Sequence, residues 1–183
     1  MLNVPTIITF SRMVIIVPFI LVAPGNPFWG AILFSIASIT DLLDGYIARK
    51  SKQVTKVGIL LDPIADKLLV ISALIVLVDM ASIPAWIAIV IIAREFIVTG
   101  LRVVALSMDI VIPAEMGGKL KVTAQISAII VLLLNSSTGF SEILDRFLNI
   151  TDIYGSGIVL LWIAMILGIV SGVQYFVNFR KRL

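Results

Sequence analysis

Apolar runs of membrane-spanning length follow one another along this chain, and only short polar links separate them. A helix crossing the hydrocarbon core of a bilayer needs about 20 apolar residues. Backbone left unpaired in lipid is costly, so runs of this kind fold as helices. They are expected near 7–23, 28–49, 58–78 and 84–107, in a fifth run opened by GGKLKVTAQ, and near 154–178. The 183 residues hold six such helices with little left for a separate soluble domain. Charged residues make up 14% of the chain, against about 25% in soluble domains. The expectation is therefore a single all-α integral membrane domain over 1–183, a six-transmembrane-helix bundle.

Loop charge sets its orientation. Arg49, Lys50, Lys52 and Lys56 cluster between the second and third runs, and the chain ends in FRKRL. Basic residues of short loops collect on the cytoplasmic side. Residues 138–153 hold Glu142, Asp145 and Asp152 against Arg146, which suits the opposite face. Both termini are then cytoplasmic. The first eleven residues contain no Lys or Arg, so the start lacks the charged region of a cleaved signal and should be retained. Pro24, Gly25, Asn26 and Pro27 read as a turn, as do Asp79 to Pro84.

The strongest chemical signal is residues 41–66, DLLDGYIARKSKQVTKVGILLDPIAD. Asp41 and Asp44 are spaced i, i+3, and Asp62 and Asp66 are spaced i, i+4. On a helix each pair shares one face. Carboxylates at the edge of an apolar run are expensive and repel one another. A pair of divalent, oxygen-preferring cations, Mg2+ or Mn2+, resolves both problems. Gly45 and Ala48 continue the stripe of Asp41 and Asp44 and leave room for a bulky ligand beside the metal. Arg49 offers a forked donor suited to phosphate.

The chain has no Cys and no His, which excludes disulfides, thiolate chemistry and a Ser-His-Asp triad. A general base must be a carboxylate, Lys or Tyr. The net charge of +3 makes no case for nucleic acid but suits anionic membrane lipids and phosphate-bearing substrates.

The pattern D-x2-D-G-x2-A-R-x8-G-x3-D-x3-D is met without a gap by Asp41, Asp44, Gly45, Ala48, Arg49, Gly58, Asp62 and Asp66. In this the chain resembles the CDP-alcohol phosphatidyltransferase family. The resemblance implies a polar active site at the cytoplasmic side, with the four aspartates as ligands to two divalent cations and Asp66 as catalytic base. It implies CDP-diacylglycerol binding by Asn3, Thr6, Gly45, Ala48, Arg49, Thr55 and Gly58. It also implies a homodimer. The size of the chain and the absence of a targeting segment suggest a multi-pass protein of a bacterial plasma membrane.

Further along, Arg94, Glu95 and Arg102 fall inside the fourth run, where an unpaired charge costs several kcal/mol. They should face the bundle interior, either as a structural Glu–Arg pair or as an anion pocket. Lys119 and Lys121 open the fifth run, either as orientation markers or as phosphate ligands, since free N–H groups at a helix start also suit phosphate. Taken together, Arg94, Arg102, Lys119 and Lys121 favour a pocket for an acceptor phosphate. IAREF…LR followed by GKLKVTAQ resembles the branch of the family that uses sn-glycerol 3-phosphate. Branches using inositol phosphate, phosphatidylglycerol or serine share residues 41–66 and stand as the nearer alternative. A small ion-coupled transporter is the distant one. Lys67, about 100° around the helix from Asp66, reads as a surface or headgroup lysine, and Gly168 and Gly172 read as a helix-packing GxxxG.

Overall fold

The structure, a computed structural model, describes residues 4–51, 56–108, 116–137 and 153–182, with side chains over 13–40, 67–105, 107–108, 120–137 and 153–182. Every regular element among the described residues is an α-helix: α1 Val4–Val22, α2 Pro27–Ser51, α3 Lys56–Asp79, α4 Ala85–Ser107, α5 Met116–Asn135 and α6 Ile153–Arg180. The apolar runs thus became helices with ends close to those expected. Helix α5 packs along α6, α1 lies against α2 and α3, and α4 bridges α3 and α6.

Local chemistry fixes the turns. The main-chain carbonyl of Asn26 accepts from Gly30 N–H at 3.0 Å, and its side-chain oxygen accepts from Trp29 N–H at 3.4 Å. Asn26 is thus the N-cap of α2, and Pro27 follows where a missing N–H costs nothing. At the end of α3, Ser82 N–H donates to Leu77 O and Ala81 N–H to Val78 O, each at 2.9 Å. That pairing closes a helix through a left-handed residue, and Ala81 has φ 53°. The Ser82 and Ser136 hydroxyls lie 2.9 Å apart and join this turn to the end of α5. Pro24 to Pro27, Met80, Ser136 and Ser137 line one recess, so these helix ends meet at one end of the bundle.

The core runs along the bundle axis through Phe19, Phe34, Leu74, Leu77, Ile129, Leu132 and Leu161, all fully buried. Small residues set the closest approaches. A Cβ at Gly30 would lie 2.5 Å from the Ala23 Cβ, so α1 and α2 meet there almost backbone to backbone.

Much of the described outer surface is apolar too. Along α6 a stripe from Gly157 through Leu161, Ala164, Gly168 and Ser171 to Tyr175 is buried. Val159, Trp162, Ile166, Ile169, Val173 and Phe176 on the other side are exposed. A helix on the surface of a water-soluble protein carries polar residues there. Among the described residues, α6 is the one helix long and apolar enough to cross a membrane. Shorter apolar stretches run over Met13–Val22 in α1, Pro27–Thr40 in α2 and Leu120–Asn135 in α5, and in α4 the apolar sequence is interrupted by Arg94, Glu95 and Arg102.

Candidate active site

Helices α2 and α3 carry the four aspartates at the end away from the Asn26 turn. Asp41 and Asp44 lie three positions apart within α2, and Asp62 and Asp66 four apart within α3, so each pair occupies one helical face. The two helices pack on each other. Helix α2 stops at Ser51 and α3 starts at Lys56, which holds the two ends within about 18 Å. Counted from Pro27 and Asp79, Asp41 and Asp66 are at a matching depth of about 20 Å. The side chains of Asp41, Asp44, Ala48, Arg49, Asp62 and Asp66 lie outside the described residues, as do those of Thr6 in α1 and Lys119 in α5, and Gly45 and Gly58 enter as backbone of α2 and α3. Asn3 and Thr55 lie outside the described residues altogether.

Beside this end, four helices contribute to one polar network. Arg94 of α4 reaches α6, where its Nε donates to the Gly168 carbonyl at 2.7 Å and its Nη2 to the Ser171 hydroxyl at 2.6 Å. Its Nη1 donates to the Glu95 carboxylate at 2.9 Å. Lys121 of α5, only 4% exposed, donates to the same carboxylate oxygen. A buried ammonium without a counter-charge is strongly unfavourable, and Glu95 supplies that charge. The Thr99 hydroxyl donates to the Glu95 main-chain carbonyl at 2.7 Å and accepts from Lys67 of α3. Arg102, exposed one turn further on, holds its guanidinium carbon 5.9 Å from the centre of the Tyr175 ring.

The structure therefore brings Arg94 and Lys121 together and leaves Arg102 at the rim. Glu95 faces the interior as expected, but it pairs with its neighbour Arg94 and with Lys121. Lys67 corrects the sequence reading: it is half-buried and crosses to α4. The signal for this was Thr99 on the facing helix, which only the inter-helix register reveals. Gly168 and Gly172 were legible only as packing residues, and Ser171 carried no signal. The two glycines do leave room for packing, but what lies on them is Arg94: a Cβ added at Gly168 or Gly172 would sit 3.6 or 3.5 Å from its Nε.

Lys67, Arg94, Arg102 and Lys121 set four cations against the single acid Glu95 among the described residues of this region. Arg94 and Lys67 both lie within electrostatic range of Lys121. Such a surplus suits an anion of high charge density, and guanidinium and ammonium groups are the usual phosphate partners. One end of the bundle therefore joins an aspartate-bearing helix pair to a cationic cluster.

The model of the CDP-alcohol phosphatidyltransferases matches residues 2–170. The chain belongs to the CDP-alcohol phosphatidyltransferase family. Relatives from Bacillus subtilis strain 168, Rickettsia bellii and Escherichia coli K12 are 42%, 38% and 34% identical to it. The alignments cover 96%, 98% and 94% of this chain and 94%, 96% and 92% of those proteins. Each of the three is named CDP-diacylglycerol--glycerol-3-phosphate 3-phosphatidyltransferase. The match takes in both halves of the site, since it runs through the aspartate pairs and through Arg94, Lys121 and Gly168. The four aspartate positions thus stand on two helices that pack on each other, and a carboxylate is the donor type that hard divalent cations take.

Proposed function

We propose that this chain transfers the phosphatidyl group of CDP-diacylglycerol to sn-glycerol 3-phosphate, giving phosphatidylglycerophosphate and CMP. The observation that carries this is near-full-length similarity to enzymes named for that reaction. The cationic network built around Arg94 and Lys121 supports it, because an acceptor that brings its own phosphate needs such a pocket.

In this reading Asp41, Asp44, Asp62 and Asp66 hold two divalent cations, Mg2+ or Mn2+, which when bound neutralise the diphosphate. Arg49 forks onto the diphosphate oxygens. Gly45, Ala48 and Gly58 leave the space in which the nucleotide approaches the helices, and Asn3, Thr6 and Thr55 hold its polar edge. Arg94, Arg102, Lys119 and Lys121 take the acceptor phosphate and so orient its free hydroxyl. Asp66 accepts the proton of that hydroxyl as its oxygen bonds to the phosphatidyl phosphorus. The bond from phosphorus to the CMP oxygen breaks, and CMP departs with the electron pair.

The same reading makes the exposed apolar surface a lipid-facing one. All six helices then cross a bacterial plasma membrane, both termini lie in the cytoplasm, and the polar end opens there. Diacyl tails remain in the bilayer while the CDP head enters from the side. The protein works as a homodimer.

The test is purified protein given CDP-diacylglycerol and Mg2+ with glycerol 3-phosphate, inositol phosphate, phosphatidylglycerol or serine as acceptor, scored by CMP release. CMP release with glycerol 3-phosphate alone is expected. Turnover with another acceptor, and none with glycerol 3-phosphate, would overturn the assignment while leaving the family intact.

A further inference from the structure

Two buried polar groups in this bundle have no partner among the described residues: the Ser38 hydroxyl of α2 and the side-chain amide nitrogen of Gln125 of α5. They are 4% and 2% exposed. A buried donor left unpaired costs about 1–3 kcal/mol, and each such group in a native protein calls for a reason.

Ser38 stands out among its neighbours. Ser35 donates to the Ala31 carbonyl at 2.7 Å, Thr40 to Ile36 at 2.6 Å and Ser72 to Leu68 at 2.7 Å. That internal bond to the preceding turn is the ordinary way a helical hydroxyl is satisfied in an apolar setting. Ser38 does not make it.

The two groups also share a level. The start of α2 and the end of α5 meet at one recess, lined by Pro27 and Ser136. From there Ser38 and Gln125 each lie about 16 Å down their helices. Helices α2 and α5 pack on each other. Asp41 is one turn beyond Ser38, and Lys121 is one turn beyond Gln125 on the same face. The unpaired donors therefore form a level directly beneath both halves of the candidate site.

We propose that Gln125 and Ser38 bind the non-reacting secondary hydroxyl of the acceptor, at the floor of the pocket whose rim takes its phosphate. This rests on the function proposed above. A hydroxyl is both donor and acceptor. Its oxygen carries two lone pairs and accepts from the Gln125 amide and from the Ser38 hydroxyl, so one small group satisfies both donors. A site with buried groups awaiting a hydroxyl rejects an analogue that lacks it. Gln125 and Ser38 thereby make the enzyme specific for a vicinal diol phosphate over a simple hydroxyalkyl phosphate.

The experiment uses glycerol 3-phosphate and 3-hydroxypropyl phosphate, which keeps the phosphate and the primary hydroxyl but lacks the secondary one. With wild-type protein, kcat/KM should fall at least tenfold on going to the analogue. In Gln125→Met that ratio should shrink towards one, through a raised KM for glycerol 3-phosphate and an unchanged KM for CDP-diacylglycerol. Ser38→Ala should shrink it in the same direction. Thermal unfolding in detergent should show both variants at least as stable as wild type, because an unpaired donor has been removed. Undiminished discrimination in both variants would overturn the proposal and make these groups merely hydrated. A wild-type enzyme that ignores glycerol 3-phosphate altogether would instead bring down the function beneath it. Binding of glycerol 3-phosphate followed by thermal shift, without donor lipid, separates the two cases: wild type that is stabilised, with Gln125→Met stabilised less, supports the proposal.

Discussion

Glu95 accepts from two cations on one carboxylate oxygen, Arg94 from its own helix and Lys121 from α5. The arrangement is asymmetric. Removal of Lys121 leaves Glu95 paired with Arg94, whereas removal of Glu95 strands both cations in a region where Lys121 is almost fully buried. Glu95→Gln should therefore destabilise the fold by about 3 kcal/mol, and Lys121→Met by clearly less. Denaturant unfolding in detergent checks the order, and Lys121→Met proving the more damaging would contradict it.

The glycines give a contrast in packing. Gly30→Ala places a Cβ 2.5 Å from the Ala23 Cβ and 2.9 Å from its Cα. Backbone cannot yield as a flexible side chain can, so a loss of about 1–3 kcal/mol is expected despite the gain in helix propensity. A Cβ at Gly100, by contrast, meets nothing within 4 Å. Gly100→Ala should stabilise α4 by about 0.5–1 kcal/mol. Melting temperatures moving the same way for both variants would refute the account.

Ala81 carries φ 53° at the closing residue of the α3 turn. A side chain with a Cβ pays about 1–2 kcal/mol there that glycine does not. Ala81→Gly should raise the melting temperature by a few degrees and leave CMP release as it was, since this turn lies at the far end from the aspartates.

Chelation bears on the aspartate pairs. EDTA should abolish CMP release, and added Mg2+ or Mn2+ should restore it. Asp66→Asn should remain inactive by at least a thousandfold at saturating metal with every acceptor. Activity that survives exhaustive chelation would remove the role given to the four carboxylates.

Helix placement was readable from the order of residues because each signal is local. Asn26 and Pro27 announce the start of α2, and the apolar runs state their own lengths. The motif likewise announces both aspartate pairs, because its spacing is a property of single helices. The partners of Arg94 on α6 were not readable. They come from Gly168 and Ser171, more than seventy residues away, and depend on how α4 is rotated against α6. Lys67 was misread for the same reason: its position beside Asp66 was visible, but the threonine opposite it was not. Ser38 looks like an ordinary polar residue in a list of letters, and Gln125 stands there only as the last residue of GKLKVTAQ. Only burial without a partner distinguishes them.

One of the bonds steadying Arg94 ends on a main-chain oxygen, that of Gly168. No point mutation can delete a carbonyl. Drift at position 168 can therefore loosen the arginine by adding bulk but never by withdrawing its acceptor. The Ser171 hydroxyl is the opposite case, so α6 offers Arg94 one acceptor that a substitution can remove and one that none can.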